Sequence, residues 1–123
     1  MNTKPLTVFW HSPTETPPVE MYDLGLFWIA VQSQYSAEQG PRTSVYLAHY
    51  INKPLTLDEN DEPLDPDPHV DPYGDYIEAV GWHCEYDHPD FSRFFQPITF
   101  NDQCKLLGWA EYVPPVWNGE VVL

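Results

Sequence analysis

Apolar, β-branched and aromatic residues gather along this chain in short runs, separated by Pro, Gly, Asn and Asp. That is the pattern of strands joined by turns. Five runs qualify: Leu6 to Trp10, Gly25 to Gln34, Ser44 to Ile51, Tyr76 to Tyr86, and Lys105 to Val113. In "SVYLAHYI" Val45, Leu47, His49 and Ile51 alternate with Ser44, Tyr46, Ala48 and Tyr50, as in a strand with one face in a core. "GLFWIAVQ" is nearly continuous and predicts a central strand covered on both sides. In the last run Leu107, Trp109, Glu111 and Val113 share one face, and Leu106, Gly108, Ala110 and Tyr112 the other.

Helix signals are scarce, and fourteen prolines reinforce the reading, because proline deletes a helix hydrogen bond and is confined in sheets to edges and turns. "HSPTETPPVE" and "YVPPVWNG" read as extended arms, while "HPDFSRFFQP" has room for one short helix between its prolines. The expected fold is mainly β, with α+β as the alternative. It is one antiparallel sheet of about five strands, at most one or two short helices and a long acidic loop.

A length of 123 residues suits one domain, 1–123, and a hydrophobic share of 42% with 15% aromatics supports a real core. Of the tryptophans, Trp28, Trp82 and Trp109 fall inside strands and read as packing residues. Trp117, in the proline-rich tail 114–123, is the better candidate for an exposed contact.

Charge changes the picture more than size does. Nineteen acids against five bases leave a net charge of -14, which disfavours nucleic acid and anionic membranes and favours basic partners. Residues 57–78, "LDENDEPLDPDPHVDPYGDYIE", hold nine carboxylates: Asp58, Glu59, Asp61, Glu62, Asp65, Asp67, Asp71, Asp75 and Glu78. No basic residue stands between Lys53 and Arg93, and Glu85, Asp87 and Asp90 continue the series. The loop proper, 54–75, is long for a connection without structure of its own. "DPDP" favours polyproline extension at about 3.1 Å per residue, so Asp65 and Asp67 would stand roughly 6 Å apart, about every second phosphate of a DNA strand.

Other chemistry is weakly signalled. Counted from Asp58, the sixth and twelfth places of a calcium loop hold Pro63 and His69 in place of Gly and Glu, so an EF-hand is excluded. His69, His83, Cys84, His88 and Cys104 lack paired zinc spacing, and adjacent His83 and Cys84 point to opposite faces of a strand. No cation or evident helix N-terminus activates Cys84, and no phosphate-binding or nucleophile-elbow motif occurs. The expectation is a non-enzymatic protein with no cofactor and no metal. Two cysteines, a start without a cationic-then-apolar layout and no apolar run of membrane-spanning length point to a cytoplasmic protein with free thiols and no membrane span.

"SPTETPPVE", "VYLAHY", a central "GW" and a closing "GWAEYVPPV" together resemble the small phage and prophage proteins of domain-of-unknown-function family 551. That resemblance transfers no catalytic residue. It implies a phage origin, and small acidic phage proteins often inhibit host systems, several anti-CRISPR and anti-restriction proteins by looking like DNA. The expected function is therefore a phage-type inhibitor whose acidic surface occupies the site of a basic, nucleic-acid-binding host protein such as a CRISPR effector or nuclease, without binding nucleic acid itself. The carboxylates above would supply charge, and Tyr73 and Trp117 contact area. A small metal-binding or catalytic domain, and a virion structural or assembly protein, are the alternatives.

Overall fold

The computed structural model describes residues 8–87 and 94–122. Within them the chain is all β, a single open antiparallel sheet with no helix: β1 (Asp23–Ser33), β2 (Arg42–Lys53), β3 (Ala79–Tyr86), β4 (Phe94–Pro97) and β5 (Cys104–Glu111), in the order β4-β3-β2-β1-β5.

Two expected elements are corrected. Where the sequence leaves room for a short helix, Phe94–Pro97 pairs with β3; aromatic residues favour the extended form, and Pro97 is tolerated at an edge-strand end. The rest of that proposed helix, 88–93, lies outside the described residues. Of the expected strand at Leu6 to Trp10, the described part, 8–10, is no strand; only His11 forms a single bridge to Trp109. The chain there runs as a strap whose prolines prevent a ladder.

One face of the sheet carries the core: Phe27, Ile29 and Val31 of β1, Ala48 of β2 and Trp109 of β5, with Tyr46, Tyr50 and Trp82 packed around them. In β2 the aromatic side of the alternation is thus the core face, while Val45 and Leu47 on the aliphatic side remain exposed. The expectation that β1 is covered on both sides fails for the same reason, since Leu26, Trp28 and Ala30 are only half-buried. In β5 a bulge breaks the expected alternation. Ala30 pairs with Gly108 and Val31 with Leu106, so Leu107 is the extra residue, and Leu106 joins Trp109 on the core side.

The strap crosses β5 at Gly108, where a Cβ would stand 2.8 Å from the His11 carbonyl oxygen. His11 stacks on Trp109 at 4.1 Å between ring centroids, and the Trp109 indole N–H donates to the Glu15 carbonyl at 2.8 Å. Both imidazole nitrogens meet carboxylates, Nδ1 on Glu15 at 2.7 Å and Nε2 on Glu111 at 2.9 Å. The hydrogen bond to Glu111 raises the His11 pKa above its ordinary 6.5, against a smaller opposing effect of desolvation. Glu111 lies below 4.5, held there by its own backbone hydrogen bond and then by His11.

Because the folded pKa of His11 is raised, its contribution is complete below 6.5 and is lost as pH rises through the folded value. Glu111, with a lowered pKa, contributes above 4.5 and loses that contribution as pH falls through its folded value. Strap protection, read by limited proteolysis within 8–20, is expected to be greatest between these limits and to weaken as pH climbs past the His11 pKa. His11→Gln should flatten the alkaline side; an unchanged profile in that variant would assign the titration elsewhere.

Candidate acidic interface

The acidic segment folds into two small hairpins of one design. In the first, the Leu64 N–H donates to the Thr56 carbonyl at 2.9 Å and the Asp58 N–H to that of Glu62 at 2.8 Å. Asp58 Oδ1 accepts from the Asn60 and Glu62 amides at 2.8 and 3.0 Å. In the second, the Ile77 N–H donates to His69 at 3.0 Å, the Asp71 N–H to Asp75 at 2.9 Å, and Asp71 Oδ1 accepts from the Tyr73 and Asp75 amides at 2.9 and 3.0 Å.

Every partner in the second hairpin lies thirteen positions beyond its counterpart, as from 58 to 71 or from 62 to 75. The bridges Leu57–Pro63 and Val70–Tyr76 correspond, and so do the left-handed residues, Asp61 at φ 60° and Gly74 at φ 87°. An aspartate that caps two amides ahead of it replaces the ladder these short arms cannot supply.

Replacing Asp58 or Asp71 by Ala removes that acceptor, at a cost of about 0.5–1.5 kcal/mol. Amide exchange at Glu62 or Asp75 should accelerate, while Asp→Asn at either place keeps the acceptor and the protection.

Between the hairpins the chain is tied to the sheet. Ile51 and Lys53 of β2 and Ala79 and His83 of β3 are buried on the face opposite the core cluster, beneath the loop. Lys53 is only 7% exposed and Asp65 6%. The Lys53 ammonium donates to the Asp67 carbonyl and stands 3.7 Å from Asp65 Oδ2 and 3.9 Å from Asp67 Oδ2. Asp65 Oδ2 has an ion-pair partner but no hydrogen bond, whereas Oδ1 accepts from the Asp67 amide at 2.9 Å.

This corrects the extended "DPDP" reading. The local Asp65–Asp67 contact makes a turn, and it turns one carboxylate into the protein while the other is 99% exposed. The acidic series also has a compensating cation, Lys53, which closes β2 on the same side as Ile51.

The remaining proposed contact residues divide by position. Glu59, Asp61 and Glu62 on the first hairpin and Tyr73 and Asp75 on the second are exposed, Tyr73 at 91%. Glu78 is exposed just before β3. Glu85 lies at the far end of β3, 3.7 Å from the His49 imidazole, with exposed Asp87 just beyond. Trp117, also exposed, follows β5 at the opposite edge of the sheet from β3 and β4. Asp90 lies outside the described residues. The hairpin carboxylates and Tyr73 thus belong to one continuous segment between β2 and β3, whereas Trp117 belongs to the tail after β5.

Other groups have separate settings. His83 is buried and its Nδ1 meets the Gly81 carbonyl at 2.9 Å, while Cys84 and Cys104 are free thiols. His69 is half-buried, and desolvation, then His83 and Lys53, lower its pKa below 6.5, so it is neutral at pH 7. A cavity of about 600 Å³ lies between the second hairpin, Leu24 and β4. Its walls come from four separated segments, which no local sequence pattern marks.

No protein-family model matches the chain, and no curated protein or solved structure matches it.

Proposed function

We propose that this is a non-enzymatic, phage-type binding protein whose acidic hairpins occupy the cationic, nucleic-acid-binding surface of a host defence protein, a CRISPR effector or nuclease. The observation that supports this reading is the pair of repeated hairpins, each using one aspartate to fix its backbone so that neighbouring carboxylates project into solvent. Fixed carboxylates lose less freedom on binding than those of a floppy linker, and they steer encounter with a basic partner. Tyr73 occupies the place in the second hairpin that Asn60 holds in the first, and adds an amphipathic contact at its tip.

The test is capture of basic nucleic-acid-binding proteins from a bacterial lysate, expected to succeed at low salt, fail at high salt and be competed by DNA or RNA. Glu59→Gln, Asp61→Asn, Glu62→Gln and Asp75→Asn together should weaken capture about fourfold or more, since exposed pairs contribute roughly 0.2–1 kcal/mol each. Equal capture by this variant would overturn the reading. Asp65 is left intact because its role is internal.

A second reading, an assembly component, draws on a different observation: Val45 and Leu47 on the uncovered half of the sheet, Val113 after β5, and Val116, Trp117 and Val122 in the tail are all exposed. It requires a stable oligomer, which sedimentation equilibrium would reveal. A monomer at high concentration excludes it.

A further inference from the structure

The cavity beside the second hairpin has an apolar interior and an acidic rim. Leu24, Val70, Ile77 and Phe95 line it together with Pro68 and Pro72. Its volume, about 600 Å³, is in the range of sites that accept a large side chain or small ligand. Val70 and Ile77 are large apolar residues left partly exposed by the hairpin that carries them.

The charge around this interior is one-sided. Lys53 is the one cation among the described lining residues, and Asp65 and Asp67 already hold it. Among the described lining residues, Lys53 as +1 against Asp67 and Asp71 as −2 leaves −1, with Asp65 on Lys53 and Asp75 adjacent on the hairpin adding to the same sign. An anionic ligand meets repulsion there from Asp67 and Asp71, and the one cation among the described lining residues is already engaged. A second copy of this chain, at a net charge of -14, is also disfavoured.

We propose that this cavity receives an aromatic side chain from a partner polypeptide, flanked in that polypeptide by Arg or Lys residues that meet Asp67, Asp71 and Asp75. The inference rests on the acidic-interface reading and deepens it: the hairpins recognise charge, and the cavity recognises the apolar residue between the charges. Hot spots of this form, an aromatic anchor seated in a pocket and ringed by polar contacts, carry much of the affinity of protein interfaces.

The probe is the capped tripeptide Arg-Trp-Arg, titrated into the isotope-labelled protein at low salt and followed by amide chemical shifts, with Arg-Ala-Arg and Glu-Trp-Glu as controls. Arg-Trp-Arg is expected to give saturable shifts at Leu24, Lys53, Val70 and Ile77. Arg-Ala-Arg should move only hairpin-tip amides such as Asp61 and Gly74, and Glu-Trp-Glu none. Val70→Lys, at a partly exposed position, should abolish the cavity shifts and preserve the tip shifts, with overall spectral dispersion confirming the fold. Identical responses to Arg-Trp-Arg and Arg-Ala-Arg, or cavity shifts that survive Val70→Lys, overturn the cavity assignment and leave the acidic interface standing. No response to either cationic peptide overturns both.

Discussion

Lys53→Met is expected to lower the free energy of unfolding by about 3–5 kcal/mol, measured by urea denaturation, although it replaces a charged residue by an apolar one of similar length. In water the exchange would be harmless. Here the ammonium is buried against Asp65, and the carboxylate that loses it has no hydrogen bond at Oδ2 to fall back on. The Asp67 carbonyl loses its donor as well. Against a typical total of about 5–15 kcal/mol the loss is a large fraction of stability. Lys53→Met with Asp65→Asn should recover most of it, because Asn keeps the Oδ1 acceptor of the turn and removes the unpaired charge. A single-variant loss below about 1 kcal/mol, the range of exposed pairs, would show that water reaches the pair and that the loop is not pinned by it.

That ion pair also marks where sequence reasoning stopped. The carboxylates between 57 and 78 were legible as a block, and so was the exposure of Tyr73 and Trp117. The direction each acid faces was not, because it depends on turns that a polyproline estimate does not contain. One local signal was present: Lys53 has the same parity in β2 as Ile51, so a buried Ile51 implies a lysine under whatever covers that face. The hairpin repeat was also hidden. Its two copies share an aliphatic residue at each end, Leu57 and Leu64 against Val70 and Ile77, the capping aspartate, an acid four residues on and a left-handed position filled once by Asp61 and once by Gly74, a pattern too sparse to stand out among so many carboxylates.

The sheet was more accessible. Runs centred on Phe27, Ala48, Trp82 and Trp109 became β1, β2, β3 and β5, since hydrophobic alternation and pleat share a period of two. Their partners and faces were less so. The bulge at Leu107 changes parity inside one apolar run, and Gly108 beside it is the local sign in "KLLGWAE", since a glycine inside a strand often marks a bulge or a close backbone approach. Prolines at 89 and 97 suggested helix boundaries, yet Pro97 ends an edge strand, where a missing N–H costs nothing to the ladder.

Trp109→Ala is expected to be at least as damaging as loss of Lys53, at about 3–5 kcal/mol. Trp109 is nearly inaccessible, meets the Phe27 ring edge-to-face at 5.3 Å and carries the His11 stack on its other side. Its removal opens a cavity in the small core cluster and frees the strap in one step, because the strap is fixed to this residue through ring, indole N–H and backbone alike. Trp109→Phe separates the two effects. It retains an aromatic filling but deletes the indole donor to the Glu15 carbonyl, so it should cost only about 1–3 kcal/mol while accelerating proteolysis within 8–20. If the Phe variant lost as much stability as the Ala variant with no faster strap cleavage, the indole hydrogen bond would not hold the strap. Strap and core would then be one cooperative unit governed by packing volume alone.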